Sequence, residues 1–269
     1  LDGAIDKSID YADQHPEYAV VGCQVMEDSQ TIQQTCCRFH SPLNTLLWLS
    51  GLSSLFPKSR LFGRERMGWW RRDFEMEVLR RWKTNGYHVP AVMDNPFPEF
   101  SGVPVLTTQY IDGITIRDFL RNGSISTAEQ EAQISLIFHD TAKRHQVALR
   151  SGDTLLFHID ANTRNILLAK EKIFHCDFEM GRPWGSPVQC ATREVLKMLV
   201  SLTEDAGPAS VEKICGIFKN VYQEQPVYAC IEKGIAGRPF QAFHRYNDRK
   251  KKEEDPGRVT LYDILRCLA

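Results

Sequence analysis

Residues 157–181 read FHIDANTRNILLAKEKIFHCDFEMG, and the fold turns on this stretch. His158 is followed two residues later by Asp160, five further on by Asn165 and twelve after that by Asp177. The polar groups adjoin short apolar runs, NILL and IFHCDF, which read as strands and would hold the side chains in place. Asp160, Asn165 and Asp177 offer only hard oxygen ligands, the kind magnesium takes. Phosphoryl transfer to an alcohol needs a carboxylate to receive the hydroxyl proton, and oxygens to fix magnesium on the nucleotide phosphates. Taken singly, His158 and Asp160 could cap a turn and Asp177 could close a hairpin; the joint spacing is what points to chemistry.

The pattern His-x-Asp-x-x-x-x-Asn, then Asp-Phe, resembles the catalytic-loop and metal-loop signatures of the protein-kinase-like superfamily. The chain departs from protein kinases in placing Ile159 where they have arginine and Glu179 where they have the glycine of Asp-Phe-Gly. With the next helix expected from Thr192, only 15 residues on from Asp177, and with no Ala-Pro-Glu, a long peptide-docking loop is not expected. HIDANTRNIL with DFEMGR is most similar to the bacterial lipopolysaccharide-core kinases, the Kdo and heptose kinases, over roughly residues 33–203. That resemblance implies an α+β, bilobal protein-kinase-like fold. Residues 1–110 would form a small antiparallel β-sheet lobe with one main helix, and residues 111–269 a mostly helical lobe with the catalytic and metal loops. The two lobes together would make one kinase-like domain.

The same resemblance implies roles for single residues. Asp160 would be the catalytic carboxylate, His158 would buttress its loop, and Asn165 and Asp177 would hold Mg2+. In the Kdo kinases a strand bearing an arginine precedes a leucine- and arginine-rich insertion, and a helix with a partner glutamate follows. TCCRFH, the 43–72 insertion, FEMEVLRRW and NGYHVP follow that order here. Arg38 is then the favoured phosphate-contacting base, with Lys58 the competitor, and Glu75 its partner, with Glu77 the fallback. QYIDGITIRDFL resembles an inter-lobe hinge whose backbone around Gln109 and Ile111 would meet the adenine edge. A plain strand-to-helix turn at Asp112-Gly113 fits the same letters.

Outward from this core, EYAVVGCQVM and TIQQTCCRF suggest an N-terminal antiparallel hairpin. RDFEMEVLRRWKTNG reads as a helix stopped at Gly86, and VPAVM and GVPVLTTQYI as short strands. A long helix is expected from Ser126, with Glu129 completing a capping box, to about Arg150. TLLFHID, RNILLAK and KIFHCDF read as short apolar runs between polar turns, and TREVLKMLVSL and ASVEKICGIFKNVYQ as helices, with a last one near Thr260. His139 and His145 read as ordinary helix residues rather than metal ligands.

Composition bounds the function. The 269 residues are 42% hydrophobic, enough for a substantial core, and 33 Lys and Arg balance 34 Asp and Glu to a net −1, which argues against a nucleic-acid partner. Eight cysteines without a CxxC pair argue against a disulfide framework or zinc site and for a reducing compartment. The acidic LDGAIDKSIDYAD lacks the character of a secretory signal. Residues 39–57 contain no Asp, Glu, Lys or Arg but include Pro42, Asn44, Thr45, Gly51 and four serines, so they read as a short amphipathic helix rather than a membrane span. Residues 58–72 hold six basic side chains against Glu65, a net of +5, beside Trp69 and Trp70. That suits an anionic membrane surface or a phosphorylated glycolipid, and equally a solvated helix face.

The expectation from sequence is an ATP- and Mg2+-dependent kinase acting on an alcohol, most simply a sugar hydroxyl of the lipopolysaccharide inner core. It would work in the cytoplasm or peripherally at the inner face of the cytoplasmic membrane, with ATP and a glycolipid or sugar as partners and no nucleic acid. The alternatives are a small-molecule kinase of the aminoglycoside or choline type, a protein serine kinase, and a pseudokinase binding module. The last is suggested by the lack of any GxGxxG: before residue 51 the only glycines are Gly3 and Gly22. Either the first hairpin covers the nucleotide with ordinary residues, or nucleotide binding is weakened.

Overall fold

A computed structural model describes residues 64–94, 105–178, 183–236 and, toward the end of the chain, 252–253, 255 and 258–268. The N-terminal hairpin, the leucine-rich segment, Arg38 and Lys58 lie outside the described residues. In chain order the described elements are α1 (Arg64–Thr84), β1 (Val92–Met93), β2 (Thr107–Thr108), β3 (Ile114–Thr115), α2 (Ile116–Arg121), α3 (Thr127–Ser151), β4 (Ile166–Ala169), β5 (Lys172–His175), α4 (Pro187–Ala206), α5 (Val211–Val221), α6 (Gln225–Ala236) and α7 (Leu261–Leu268). The architecture is α+β: seven helices among the described residues, with one sheet of two strands and one of three in the order β3-β4-β5. No described helix is long and apolar enough to cross a membrane.

The chain falls into two compact units, Leu1–Asp73 with Met93–Tyr110, and Phe74–Val92 with Ile111–Ala269. Most described residues belong to the second. Its core is helical. From Phe74 onward α1 buries Phe74, Val78, Leu79 and Trp82, spaced as one helix face requires. α3 buries Ile134, Ile137, Phe138, Thr141, Arg144, His145 and Ala148 along one stripe. Ser126 caps α3 as expected: its hydroxyl accepts from the Glu129 N–H at 3.3 Å, and the Glu129 carboxylate accepts from the Ser126 N–H at 3.0 Å. At the other end Gly152 takes the left-handed conformation, with φ 73°, that stops the helix.

The two apolar runs of the core stretch pair as an antiparallel hairpin, with Ile166 opposite His175 and Leu168 opposite Ile173. β3 joins its free edge, Ile114 opposite Leu168. Here Gly113 is required: a Cβ at this position would come within 2.7 Å of the Leu168 carbonyl oxygen.

Three points go beyond or correct the sequence reading. Within the apolar run TLLFHID, Thr154–Leu156 form a 3-10 turn, its start capped by Asp153, which accepts from the Leu155 N–H at 3.1 Å. The Leu155 and Leu156 carbonyls are taken by side chains, Trp82 Nε1–H at 2.8 Å and Arg144 Nη1–H at 2.6 Å, so neither needs a neighbouring strand. The helix expected from Thr192 starts at Pro187, because Ser186 and Gln189 form a capping box and proline fits the first turn. Finally, α6 was not foreseen; Val227 and Ile231, one turn apart, bury its inner face.

Candidate active site

The His158–Asn165 loop sits between the 3-10 turn and β4, and α4 grips it from one side. Four polar residues of α4 recur at i, i+3, i+7 and i+11, which places them on one face: Glu194, Lys197, Ser201 and Asp205. The Glu194 carboxylate accepts from the His158 N–H at 2.8 Å. Lys197 Nζ is bonded to Asp160 Oδ1. Ser201 Oγ accepts from the Thr163 N–H at 3.0 Å, and the Thr163 hydroxyl donates to Asp205. Asp205 is held in turn by Arg121, whose Nε lies 2.9 Å away. The loop is thus tied at three residues to one rigid helix.

Glu194 is fully buried at the centre of a charged cluster. Arg144, itself buried, meets it with both terminal nitrogens, and His145 Nε2 is 3.0 Å from Oε2. The Arg144 guanidinium lies over the Trp82 ring at 4.2 Å. Burial alone would raise the Glu194 carboxyl, but Arg144 and then His145 outweigh it and hold it well below the usual carboxylate range. His145 Nδ1 is 2.7 Å from the Tyr222 hydroxyl, which makes His145 a satisfied core residue.

Within the loop, Asn165 Nδ2 donates to both the backbone carbonyl and the Oδ2 of Asp160, each at 3.1 Å. This spends the amide nitrogen and leaves Asn165 Oδ1 as the acceptor end. Burial acts to raise the Asp160 carboxyl, and the Lys197 hydrogen bond and charge act more strongly to hold it below its ordinary value. Asp160 is therefore an oriented, ionised carboxylate.

The second loop follows β5. His158, buried at 0% exposure, reaches it through Nε2, 2.9 Å from the Cys176 carbonyl, and stacks on Phe178 with ring centroids 4.5 Å apart. The Cys176 N–H donates to the Asn165 carbonyl at 3.0 Å, so the two loops are stitched together twice. Asp177 is exposed and adopts φ 63°, a conformation uncommon outside glycine and asparagine that turns the chain sharply after β5. The Phe178 N–H donates to Glu75 Oε1 of α1 at 3.3 Å. Burial and the charges of Asp177 and Glu75 push the Cys176 thiol up to about 12, which keeps it protonated. Phe74, Val78, His158, Asp160, Asp177 and Phe178 bound a narrow cleft.

Of the residues expected from sequence, His158, Asp160 and Asp177 line this cleft, while Asn165 bonds Asp160 and Glu75 accepts from the Phe178 N–H. Glu77 is exposed on α1. Gln109 is exposed in the first unit and Ile111 half-buried in the second. Of the 58–72 segment, side chains are described from Trp70 onward; Trp70 is exposed, and Arg72 Nε donates to Asp73 at 2.9 Å. Lys197 and Glu194 were missed by sequence reading. The signal for them was a polar stripe through the otherwise apolar TREVLKMLVSLTED.

Among the described residues no three His, Cys, Asp or Glu side chains cluster as a metal site. Asn165 Oδ1 and the Asp177 carboxylate are hard oxygen donors, the chemistry that magnesium takes. Comparison with protein-family models and with curated proteins finds no match for this chain.

Proposed function

We propose that this chain is an ATP- and Mg2+-dependent phosphotransferase of protein-kinase-like, bilobal architecture whose acceptor is an alcohol, a sugar hydroxyl of the lipopolysaccharide inner core being the first candidate. The observation that carries the reading is the linkage of the two loops. Asn165 clamps Asp160 through two hydrogen bonds at 3.1 Å, and His158 bonds the carbonyl of the residue before Asp177. A carboxylate and two further oxygen-bearing side chains are thereby carried on two loops bonded to each other, an arrangement suited to transfer by positioning and electrostatics.

In this reading Asp160 orients the acceptor hydroxyl and receives its proton as the oxygen attacks the γ-phosphorus of ATP; the bond to the bridging oxygen breaks and ADP leaves. Asn165 Oδ1 and Asp177 would hold Mg2+, which when bound neutralises charge on the phosphates. His158 keeps the loops in register without titrating near neutral pH, because burial and then the neighbouring His175 hold its imidazole down to about 4. Glu75 fixes the Phe178 amide and so the turn at Asp177. Arg38, or else Lys58, would contact the nucleotide phosphates.

A ligand-dependent thermal shift tests this reading. ATP should raise the melting temperature only when Mg2+ is present, and Asp177→Ala should abolish the shift with little effect on the melting temperature of the free protein. A shift that is independent of Mg2+, or unchanged in Asp177→Ala, would sink the metal assignment.

A further inference from the structure

Beside the Asp160 loop lies a groove of about 500 Å3 whose walls include Asn162, Arg164, Arg193, Lys197, Glu204 and Asp205. Of its charged side chains, Asp205 is paired with Arg121 at 2.7 Å, and Lys197, Arg193 and Arg164 are the other basic groups. Lys197 is paired with Asp160. Arg193 sits one turn before Lys197 on α4, and like charges at that spacing oppose helix formation. Its guanidinium lies over the exposed Trp184 ring at 4.0 Å and donates to the Trp184 carbonyl and to Cys190 Sγ, and no carboxylate pairs with it among the described residues. Among the same residues the Arg164 side chain makes no hydrogen bond or ion pair; only its backbone N–H is engaged, by Asn162 Oδ1 at 2.9 Å.

We propose that this groove is the acceptor site and that Arg193 and Arg164 select an acceptor carrying a phosphate or a carboxylate beside its hydroxyls. Two planar guanidinium groups that pair with no carboxylate among the described residues suit the paired oxygens of either group. Lys197 links the groove to the reacting carboxylate: it lines the groove and bonds Asp160, which lines the adjoining cleft. An acceptor held by its anionic group in the groove would have neighbouring hydroxyls within the reach of Asp160. Lys197 is a positioning residue in this arrangement, acting through Asp160. The inference rests on the phosphotransfer reading for what happens after binding, but not for binding itself.

The test is calorimetric titration of the full chain, without ATP or Mg2+, with glucose, glucose 6-phosphate and glucuronate. At least one anionic sugar should bind ~10-fold or more tightly than glucose, as expected for a charge-assisted contact. Arg193→Ala together with Arg164→Ala should remove that advantage, Arg193→Lys with Arg164 kept should retain part of it, and Arg150→Ala, on the exposed end of α3, should leave it unchanged. Equal binding of all three sugars, or an advantage that survives the double substitution in a folded protein, would overturn the proposal. Which anion binds better distinguishes phosphate from carboxylate. Lys197→Ala should then lower kcat more than it changes KM for the preferred sugar; a change in KM alone would remove Lys197 from the proposal. Tight anion-dependent binding without any transfer of labelled phosphate supports the groove and counts against the kinase reading alone.

Discussion

Lowering the pH from 7 to 5 should destabilise the second unit by about 2 kcal/mol through His158 alone. The ring is fully buried, its Nε2 is committed to the Cys176 carbonyl, and its Nδ1 has no hydrogen-bond partner among the described residues. Protonation would therefore bury a charge and add an N–H with nothing to receive it. Burial first, and the nearby His175 second, hold the folded imidazole down to about 4, against an ordinary value of 6.5. As pH falls through the ordinary value the unfolded chain takes up a proton at this position, while the folded chain waits until about 4. Between those limits the unfolded state binds more protons, so stability falls with pH across that window. The difference in proton binding, integrated to pH 5, gives the figure above. His145, also held low chiefly by burial, acts in the same direction. Glu194 and Asp140 are both held below their ordinary values, and their contributions persist until the pH falls through the ordinary carboxylate range. Urea unfolding at pH 7, 6 and 5 measures the effect in wild type and in His158→Gln, whose carboxamide N–H can still meet the Cys176 carbonyl but does not titrate. The variant should lose about 2 kcal/mol less than wild type over the interval. Identical losses in the two proteins would refute this account of the buried ring.

Removing Glu194 should be severe: Glu194→Ala leaves Arg144 buried without its carboxylate and frees the His158 N–H, for a loss of about 3–5 kcal/mol in urea unfolding. The double substitution Arg144→Met with Glu194→Leu should recover much of that loss, since it is the unpaired charge that costs most. Gly113→Ala should cost about 1–3 kcal/mol, because the added methyl meets the Leu168 carbonyl and cannot be accommodated without moving β3 from β4.

The long helix α3 was legible because its start is written locally: a serine, a glutamate three residues on and an apolar stripe after them. The hairpin β4–β5 was legible as two apolar runs, although its turn, Lys170-Glu171, has both residues at positive φ without the glycine or asparagine that usually marks such turns. The spacing of His158, Asp160, Asn165 and Asp177 picked out three residues that line the cleft, His158, Asp160 and Asp177, and a fourth, Asn165, that bonds Asp160. What sequence could not supply was the support. Glu194 is 36 residues from the amide it accepts from, and Lys197 is 37 from Asp160. On an amphipathic helix, polar residues at such positions read as solvent-facing until the loop they grip is in place. The turn at Thr154–Leu156 was hidden for a similar reason: two of its carbonyls are taken by side chains, Trp82 of α1 and Arg144 of α3.

The central claim is that Asp160 serves phosphoryl transfer from ATP to an alcohol. Incubation with γ-labelled ATP and Mg2+ against glycolipid extract, soluble sugars and total protein, wild type beside Asp160→Asn, tests it most directly. Wild type should label one fraction, the glycolipid or sugar fraction on the present reading. Asp160→Asn should label it roughly 100-fold or more slowly while folding normally. No Mg2+-dependent labelling of any fraction, or equal labelling by the two proteins, would contradict the account.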